Sequence, residues 1–346
     1  MSALPRFRMP AEWEPHKATW LAWPHERTDW PGKFEPIPHL YAEIVRILSR
    51  HELVNILVPL KGRAAVRALL KKAGAWNDSV NLFEVETNRS WTRDFLPTWV
   101  LGPDHTKVAV KWHFNGWAKY KNWRADDDAG HRAAKLAKTP DVFPDFSGRR
   151  VVLEGGSIDV NGAGSLLTTE ECLLSDMQQR NPGLERGQIE ALLDGWLGAS
   201  NVIWLNRGIA GDDTHGHVDD IARFVSRNTV VATYEQDHAE TNYAPLRENY
   251  DILRQAKDER GVSLKVVQLP MPKPVYYDDQ RLPASYANFY IANEVVLVPT
   301  FHDPNDRAAL NILARLFPGR EVIGIHAVDL VLGLGTLHCM TMQEPL

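Results

Sequence analysis

Cysteine is scarce in this sequence, which has two cysteines among 346 residues. Two cysteines cannot form a disulfide scaffold, and they cannot supply a four-thiolate zinc site. The sequence also lacks an apolar run of about 18 residues, and its first residues lack the apolar core of a signal peptide. Positive charge is not in excess, since the formal net charge is −5, so a phosphate-tracking surface is not expected to dominate. These absences predict a cytoplasmic enzyme without a membrane or nucleic-acid partner.

Short apolar stretches rich in β-branched residues recur along the chain and end at turn-forming residues, a pattern typical of strands. They span residues 53–58, 80–85, 108–114, 151–160, 201–205, 224–234, 264–269, 289–301 and 321–331. Apolar residues at helical spacing predict helices over residues 39–51, 63–73, 188–197 and 306–317. The alternation of strands and helices predicts an α/β or α+β fold.

No linker or change in composition divides the sequence, so we expect one domain over residues 1–346. Strand pairs and helices recur at intervals of roughly 60 residues, close to the period of a multi-blade assembly. Residues 119–147 carry the weakest pattern and are expected to form a long excursion or a lid.

Four clusters of polar and small residues interrupt the apolar pattern, at residues 88–94, 154–159, 211–220 and 333–341. The third cluster is the richest in ionisable groups. In an extended segment, its His215, His217 and Asp219 would point to one side because side chains alternate along a strand. Such a set suits zinc or manganese. General acid–base chemistry and a solvated turn stay open as alternatives for this segment.

The two cysteines occupy different surroundings. Cys172 follows an apolar stretch at residues 165–169 and is expected to be the buried end of a strand, where it acts as a small hydrophobic residue. Cys339 follows a glycine-rich turn, next to His338, in a segment too polar for a core strand. A cysteine of this kind is a candidate nucleophile, and distant histidine and acidic residues are its candidate partners.

The remaining two clusters add carboxylates. Glu154 directly precedes two glycines, where a predicted strand ends and a turn opens. Asp94 ends a tight polar segment, and an ion pair with a neighbouring arginine is the alternative to a functional role.

Ten motifs in these clusters and elsewhere occur in a distinctive order over nearly the whole chain. They are EWEPHKATWLAWP at 12–24, WTRD at 91–94, FNGW at 114–117, EGG at 154–156, TEECLL at 169–174, RNP at 180–182, GHVDD at 216–220, LPASYANFYIAN at 282–293, VPTFHDPND at 298–306 and GLGTLHCMTMQ at 333–343. The ordered set resembles the agmatine deiminase family, the bacterial-type branch that also contains a secreted peptidyl-arginine deiminase.

The resemblance implies a pentein fold, in which five ββαβ-type units surround a pseudo-fivefold axis with the active site at the centre. It implies that Cys339 is the nucleophile, that His217 is the general acid and base, and that Glu154 is the partner of His217. Asp94 and Asp219 would grip a guanidinium group, since paired carboxylates match its fork of N–H donors.

By the same resemblance, Trp91 would lie along the alkyl chain or the cationic end of a small guanidine substrate. The implied reaction converts agmatine and water to N-carbamoylputrescine and ammonia through an amidino-cysteine on Cys339, with no metal or organic cofactor. Two departures from the family pattern, Leu334 in place of a glycine and Met342 in place of a glutamine, bear on substrate detail more than on chemistry.

Other functions remain open from the sequence. Within the same fold, peptidyl-arginine or free arginine is an alternative substrate. A metal-dependent hydrolase would use His215, His217 and Asp219, and a non-catalytic pentein-like binding protein would use none of the chemistry. The sequence also leaves a homo-oligomer open.

Overall fold

Strands and helices alternate along residues 7–346, the part of the chain that the computed structural model describes. The strands are β1 (His16–Ala22), β2 (Leu53–Val58), β3 (Val80–Glu84), β4 (Thr98–Leu101), β5 (Lys107–Val110), β6 (Asp141–Val142), β7 (Asp145–Phe146), β8 (Arg149–Arg150), β9 (Asp159–Val160), β10 (Ser165–Thr169), β11 (Asn201–Leu205), β12 (Ala222–Ser226), β13 (Thr229–Tyr234), β14 (Lys265–Pro270), β15 (Val275–Tyr277), β16 (Gln280–Leu282), β17 (Tyr290–Ile291), β18 (Val295–Thr300), β19 (Glu321–His326) and β20 (Met342–Pro345). The helices are α1 (Ile37–Leu48), α2 (Arg63–Lys72), α3 (Thr92–Phe95), α4 (Arg124–Leu136), α5 (Glu170–Leu173), α6 (Arg186–Leu197), α7 (Tyr243–Gln255) and α8 (Asp306–Leu316).

Five sheets repeat one strand pattern. In each, a central strand pairs antiparallel with one neighbour and parallel with another, and the parallel neighbour is reached through a helix, as parallel pairing requires. The triplets are β20-β1-β2, β4-β5-β6, β9-β10-β11, β12-β13-β14 and β17-β18-β19. Strand β3 extends the first sheet, and β7-β8 and β15-β16 form separate hairpins. The expected α/β fold with five repeated units is confirmed.

The two ends of the chain meet in the first sheet. Strand β20, close to the C-terminus, pairs antiparallel with β1, with Trp20 opposite Met342 and His16 opposite Pro345. The unit that begins the chain is therefore completed by its last residues. Because β20 pairs with β1, the residues directly before β20 lie close to the first unit.

The strand predictions agree with the structure to different degrees. Residues 53–58 and 201–205 are the strands β2 and β11, whereas 224–234 and 289–301 each contain two strands separated by a turn. Residues 151–160 were expected to form one strand, but only Asp159–Val160 does so. The prediction is wrong because Gly155–Ser157 forms a 3-10 turn directly after Glu154.

Residues 119–147, expected to form a long excursion or a lid, contain an element that the sequence pattern does not predict, and their role as a lid stays a prediction. This segment contains the 13-residue helix α4, which lies between two segments of irregular chain. Its buried face consists of small residues, Ala129, Gly130, Ala133 and Ala134, so a pattern based on large apolar residues does not detect it. The single domain over residues 1–346 stays a prediction, and residues 1–6 lie outside the described residues.

In residues 7–346, no helix combines the length and the apolar character that crossing a membrane requires.

Candidate active site

Each of the five units contributes a residue from the same place, the segment just before its antiparallel outer strand. These residues are Asp94 before β4, Glu154 before β9, His217 before β12, Asn288 before β17 and Cys339 before β20. They are separated by 60, 63, 71 and 51 residues along the chain. Because the units share one strand pattern, equivalent segments converge, and the contacts below join Asp94, Glu154 and His217 in one group and Asn288 and Cys339 in another.

Cys339 lies in a turn between the 3-10 segment Leu330–Gly333 and β20, and its side chain is 7% exposed. The Nδ2 group of Asn288 lies 3.1 Å from the Cys339 sulfur, and a carboxylate oxygen of Asp219 lies 3.7 Å away. Burial, followed by the carboxylates of Asp219 and Asp220, holds the pKa of the Cys339 thiol well above its usual value. The ligand-free site therefore favours the neutral thiol.

Asn288 ties the segment of Cys339 together. Its side-chain oxygen accepts hydrogen bonds from the Thr336 hydroxyl at 2.7 Å and from the backbone N–H of His338 at 3.0 Å. Its Nδ2 group donates to the Cys339 sulfur and to Asp220 Oδ1, the latter at 3.0 Å. The amide is 1% exposed, so its geometry is determined by these partners.

His217 is buried between two carboxylates. Its Nδ1 atom lies 3.9 Å from Asp94 Oδ1 and its Nε2 atom lies 3.7 Å from Glu154 Oε2, and neither nitrogen has a hydrogen-bond partner. Burial opposes protonation, but Asp94, together with Cys172 and Glu154, outweighs it and holds the pKa of His217 well above its usual value. The ring is therefore a cation near neutral pH, able to donate a proton.

Glu154 is held by Arg180. The Nε group of Arg180 lies 3.1 and 3.2 Å from the two Glu154 oxygens, and both side chains are fully buried. Burial alone would raise the pKa of Glu154, but Arg180 and then His217 outweigh it and hold that pKa at about 2. Glu154 is thus a permanent anion beside the imidazole, which suits the role of orienting it and stabilising its charge.

Asp94 and Asp219 are two further buried carboxylates of the site. Asp94 accepts hydrogen bonds from Trp117 Nε1 at 2.8 Å and from the backbone N–H of Gly156 at 3.0 Å. Asp219 Oδ2 lies 2.7 Å from His338 Nδ1, whereas its Oδ1 is buried without a partner. Asp219 Oδ1 and the two His217 nitrogens are therefore three buried polar atoms, grouped together, that a ligand could satisfy.

Close packing limits the residue types around these groups. A Cβ atom at Gly156 would lie 2.5 Å from His217 Nδ1 and 3.0 Å from Asp94 Oδ1. A Cβ atom at Gly335 would lie 3.1 Å from both the Trp91 ring and Cys339 Cβ. A side chain at Gly156 would require its neighbours to move, and one at Gly335 would require the Trp91 ring and Cys339 to give by a few tenths of an ångström.

A buried network of ion pairs between side chains supports the turn that contains Cys339. Glu12 Oε2 lies 2.8 Å from His338 Nε2, 3.0 Å from Arg223 and 3.4 Å from Arg93. Arg93 also donates to the backbone oxygen of His338 at 3.2 Å, and its own N–H donates to the backbone oxygen of Cys339 at 3.1 Å. Glu12 and Arg93 thus link the start of the chain to the segment of the cysteine.

A cavity of about 480 Å³ opens above Cys339 and Asp94. Its walls include the rings of Trp91, Trp117 and Tyr120, with Leu334 opposite. Among the described residues that line it, four are aspartates and one is an arginine, namely Asp29, Asp94, Asp213, Asp278 and Arg89. A cavity of this size and charge suits a small, cationic ligand.

Comparisons with known proteins identify the family of this chain. Residues 8–345 match the model of the Porphyromonas-type peptidyl-arginine deiminase family. The chain belongs to this family.

Individual deiminases of known sequence or structure match over the full length. A protein of Latilactobacillus sakei, named as a candidate agmatine deiminase, is 36% identical over 98% of this chain and 96% of its own length. The structure of the agmatine deiminase of Enterococcus faecalis superposes with a TM-score of 0.91 at 30% identity, covering 100% of this chain and 98% of that one. The agmatine deiminase of C. jejuni, a cysteine-to-serine variant with substrate bound, gives 0.87 at 30% identity, covering 98% and 96%.

The structure of this deiminase does not bring together the alternative metal set. His215 has a φ of +64°, which turns it out of an extended segment, and its Nε2 atom contacts the Ser175 hydroxyl at 3.2 Å. His217 instead faces Asp94 and Glu154, and Asp219 faces His338. The expectation that these three side chains share one side is wrong because a 3-10 turn, not a strand, follows His217.

Cys172 is buried as expected, at 1% exposure, but its position differs from the prediction. It lies in the short helix α5 rather than at a strand end. Its sulfur, His217 and Glu154 offer ligand atoms that all lie within 4.8 Å of one another. Cys172 is therefore a neighbour of the candidate active site, which its apolar sequence context did not indicate.

Three residues of the site have no role in the sequence analysis. Asn288 contacts the Cys339 sulfur, Arg180 holds Glu154, and Trp117 donates to Asp94. All three lie in the motifs LPASYANFYIAN, RNP and FNGW that carry the family resemblance. The repeat of the units was a further signal for Asn288, because Asn288 lies just before the antiparallel outer strand of the fifth unit, as Asp94 and Glu154 do in their own units.

Proposed function

We propose that this protein hydrolyses agmatine to N-carbamoylputrescine and ammonia, with Cys339 as the nucleophile. The carrying observation is the charge of the cavity, where four aspartates and one arginine line a volume of about 480 Å³ above Cys339. Agmatine is a dication without a carboxylate, so it matches an acidic cavity at both of its ends. The names of the similar deiminases from E. faecalis and C. jejuni support the same substrate.

The guanidinium group is held flat between Asp94 and Asp219. Asp219 Oδ1 has no partner within the described protein, and the guanidinium supplies the N–H donors that it and Asp94 accept. Trp91 and Trp117 flank the alkyl chain. Holding the guanidinium carbon beside the Cys339 sulfur removes much of the entropic cost of their encounter.

The substrate cation also activates the nucleophile. The carboxylates of Asp219, Asp220 and Asp94 disfavour a thiolate in the empty site. A bound guanidinium offsets this negative charge, so the Cys339 thiol gives its proton to solvent when substrate binds, and the released ammonia later takes up a proton from solvent. The thiolate then attacks the guanidinium carbon and forms a tetrahedral adduct.

His217 moves the protons of both half-reactions. As a cation it donates a proton to an NH2 group of the adduct, the C–N bond breaks, and ammonia leaves an amidino group on the Cys339 sulfur. The neutral ring then accepts a proton from water, which attacks the same carbon. The C–S bond breaks, and the ureido product and the free cysteine are released. Glu154, anchored by Arg180, holds the ring and stabilises its cationic form.

The distal amine of agmatine reaches the outer part of the cavity. Asp213 and Asp29 provide carboxylates there, and each is also paired with a cation, Lys119 and Arg89 respectively. Free arginine would instead bring a carboxylate into this acidic surrounding. A peptidyl-arginine would require an open groove, and it is the second candidate because the matching family includes peptidyl-arginine in its name.

Intact-mass analysis with a matched pair of reagents tests the proposal. Chloroacetamidine is cationic and chloroacetamide is a neutral reagent of similar size. We expect rapid addition of one amidine group to Cys339, much slower addition of the amide, and no addition in Cys339→Ala. Equal labelling of Cys172 and Cys339 by both reagents would contradict the proposed role of the site.

Steady-state assays with agmatine, free arginine and a peptidyl-arginine then identify the substrate. We expect release of ammonia from agmatine with the highest kcat/KM. Turnover of peptidyl-arginine without turnover of agmatine would replace agmatine by the second candidate. The cytoplasmic location and the oligomeric state stay predictions.

A further inference from the structure

Three potential metal ligands meet behind the cavity. Among residues 7–346, the cluster of Glu154, Cys172 and His217 is where a carboxylate oxygen, a sulfur and a ring nitrogen approach within 4.8 Å of one another. All three side chains are buried, at 0%, 1% and 1% exposure. They come from the 3-10 turn before β9, from helix α5 and from the turn before β12, so the fold of two adjacent units brings them together.

An unsatisfied group points to a ligand at this place. Both ring nitrogens of His217 are buried and lack a hydrogen-bond partner, although buried polar groups are nearly always paired. The Nε2 atom faces Glu154 Oε2 at 3.7 Å. A polar atom that is buried, unpartnered and directed at a carboxylate and a thiol has the surroundings of a metal ligand.

We propose that Glu154, Cys172 and His217 form an inhibitory zinc site in this protein. Sulfur, imidazole nitrogen and carboxylate oxygen are the three ligand types that Zn²⁺ prefers, and a fourth position is left for water. Zinc distances of about 2.0–2.3 Å place neighbouring ligand atoms about 3.3–3.8 Å apart in a tetrahedron, so the distances within the cluster must contract by at most about 1.5 Å.

The charges balance when zinc binds. The Cys172 thiol and the His217 ring each release a proton, so the ion meets two anionic ligands and one neutral ligand. Arg180 currently contacts both oxygens of Glu154, at 3.1 and 3.2 Å. One oxygen therefore stays with Arg180 while the other coordinates the metal, in the manner of an outer partner that orients a ligand.

Zinc at this site blocks the proposed reaction without contacting the nucleophile. With zinc on one nitrogen of His217, the other nitrogen carries the single proton of a neutral imidazole, so the ring can neither form the cation that protonates the leaving amine nor accept a proton from water. Inhibition is reversible, since a chelator returns the ring to its free form. This consequence depends on the proposed function, whereas metal binding by the three residues does not.

Cobalt spectroscopy tests metal binding independently of activity. Co²⁺ is titrated into the metal-free, full-length protein, and the thiolate-to-cobalt absorption band is recorded for the wild type, Cys172→Ala and Cys339→Ala. We expect the band in the wild type and in Cys339→Ala, and its loss in Cys172→Ala. A band that survives Cys172→Ala but disappears in Cys339→Ala, or the absence of a band in all three proteins, overturns the proposal.

Zinc inhibition provides the second measurement. Each protein is compared with its own metal-free rate, so an altered basal rate of Cys172→Ala does not affect the result. We expect the zinc concentration for half inhibition to rise at least about tenfold in Cys172→Ala, the size typical of weakening a metal site, and EDTA to restore the wild type. The same zinc concentration for half inhibition of the wild type and of Cys172→Ala would contradict the proposed site. If agmatine is not turned over at all, the proposed function fails, and the cobalt band still decides the metal site.

Discussion

Asn288 links the candidate nucleophile to the acidic side of the cavity. One amide group contacts the Cys339 sulfur, the backbone of His338, the Thr336 hydroxyl and Asp220. A donor directed at a thiolate stabilises its negative charge, and the same contacts keep the cysteine turn in place. We therefore treat Asn288 as a positioning residue that acts through Cys339.

Asn288→Ala is expected to lower kcat about 100-fold, the effect typical of removing one preorganised donor. The rate at which chloroacetamidine alkylates Cys339 should fall as well, and its pH dependence should move to higher pH because the thiolate loses a donor. Stopped alkylation reactions read by mass measure both. Asn249→Ala is the matched control. Asn249 is also 1% exposed and also hydrogen-bonds to two backbone groups, but it lies away from the site. The control should lower stability but leave the alkylation rate within about twofold; equal losses in the two variants would reduce Asn288 to a structural role.

The protonation of Asp94 sets an acidic limit on activity. Burial raises the pKa of Asp94 to about 6, although the His217 ring opposes the shift. The carboxylate form grips the guanidinium, and the protonated form does not. As pH falls below about 6, we expect kcat/KM for agmatine to fall about tenfold per unit, because kcat/KM reports groups of the free enzyme.

Trp117→Phe tests the assignment of this limb to Asp94. Trp117 Nε1 donates to Asp94 Oδ2 at 2.8 Å and stabilises the carboxylate. Its loss should raise the pKa of Asp94 further, move the acidic limb to higher pH and lower kcat/KM at pH 6 about tenfold, as for a hydrogen bond to a charged group. Trp99→Phe is the control, since the Trp99 Nε1 atom is buried without a partner. An acidic limb that is the same in both variants would assign it to another group.

At the scale of single elements, irregular turns carry the site. Two 3-10 segments, Gly155–Ser157 and Val218–Asp220, immediately follow Glu154 and His217, and helix α3 carries Asp94. Such short segments change the direction of the chain after the preceding element, so their side chains project away from the sheets. Leu334, which caps the 3-10 segment before Cys339, has a left-handed backbone with a φ of +67°.

At position 334 we expect the glycine variant to be more stable than the alanine variant, the reverse of the usual order in regular helices and strands. A non-glycine residue in the left-handed region costs about 1 kcal/mol or more. Leu334→Gly and Leu334→Ala both remove the packing of the leucine side chain, but only glycine relieves the backbone. We expect the free energy of unfolding, measured in urea, to be about 1 kcal/mol higher for Leu334→Gly than for Leu334→Ala. An alanine variant as stable as the glycine variant would show that the turn relaxes to another conformation.

At the scale of the whole molecule, the last strand closes the structure onto the first. Glu344 in β20 is 1% exposed and accepts a hydrogen bond from Trp20 Nε1 of β1 at 2.9 Å. It also pairs with Lys17 at 3.0 Å and with Lys107, in the adjacent unit, at 2.6 Å. One carboxylate therefore joins the beginning, the second unit and the end of the chain.

Glu344→Ala is expected to lower the free energy of unfolding by about 2–4 kcal/mol, because it leaves a buried indole N–H and a lysine without their partner. Urea denaturation followed by tryptophan fluorescence measures the change. Glu294→Ala serves as control, since its side chain is 74% exposed and contacts His51; it should cost less than about 1 kcal/mol. Similar losses in the two variants would mean that closure adds little to stability.

The sequence by itself determined the class of the fold and most of the candidate chemistry. Uniformly apolar stretches such as β2 and β11 are strands because one or both faces are buried, and that signal is local. Cys339, His217, Glu154, Asp94 and Asp219 were identified because ionisable residues in glycine-rich turns are unusual between apolar strands and because their motifs occur in a family order.

Only the tertiary structure decided which of these groups meet, because contacts between units separated by 50 to 70 residues leave no local periodicity. It separated His215 from His217 through a left-handed backbone, supplied Asn288 from a unit that the chemistry had not singled out and Arg180 from the unit of Glu154, and placed the buried Cys172 beside His217. The structure also revealed helix α4, because its buried face of small residues can be recognised only from the neighbours that cover it. Local patterns therefore predict the elements and the reactive residue types, while contacts between the repeated units determine their partners.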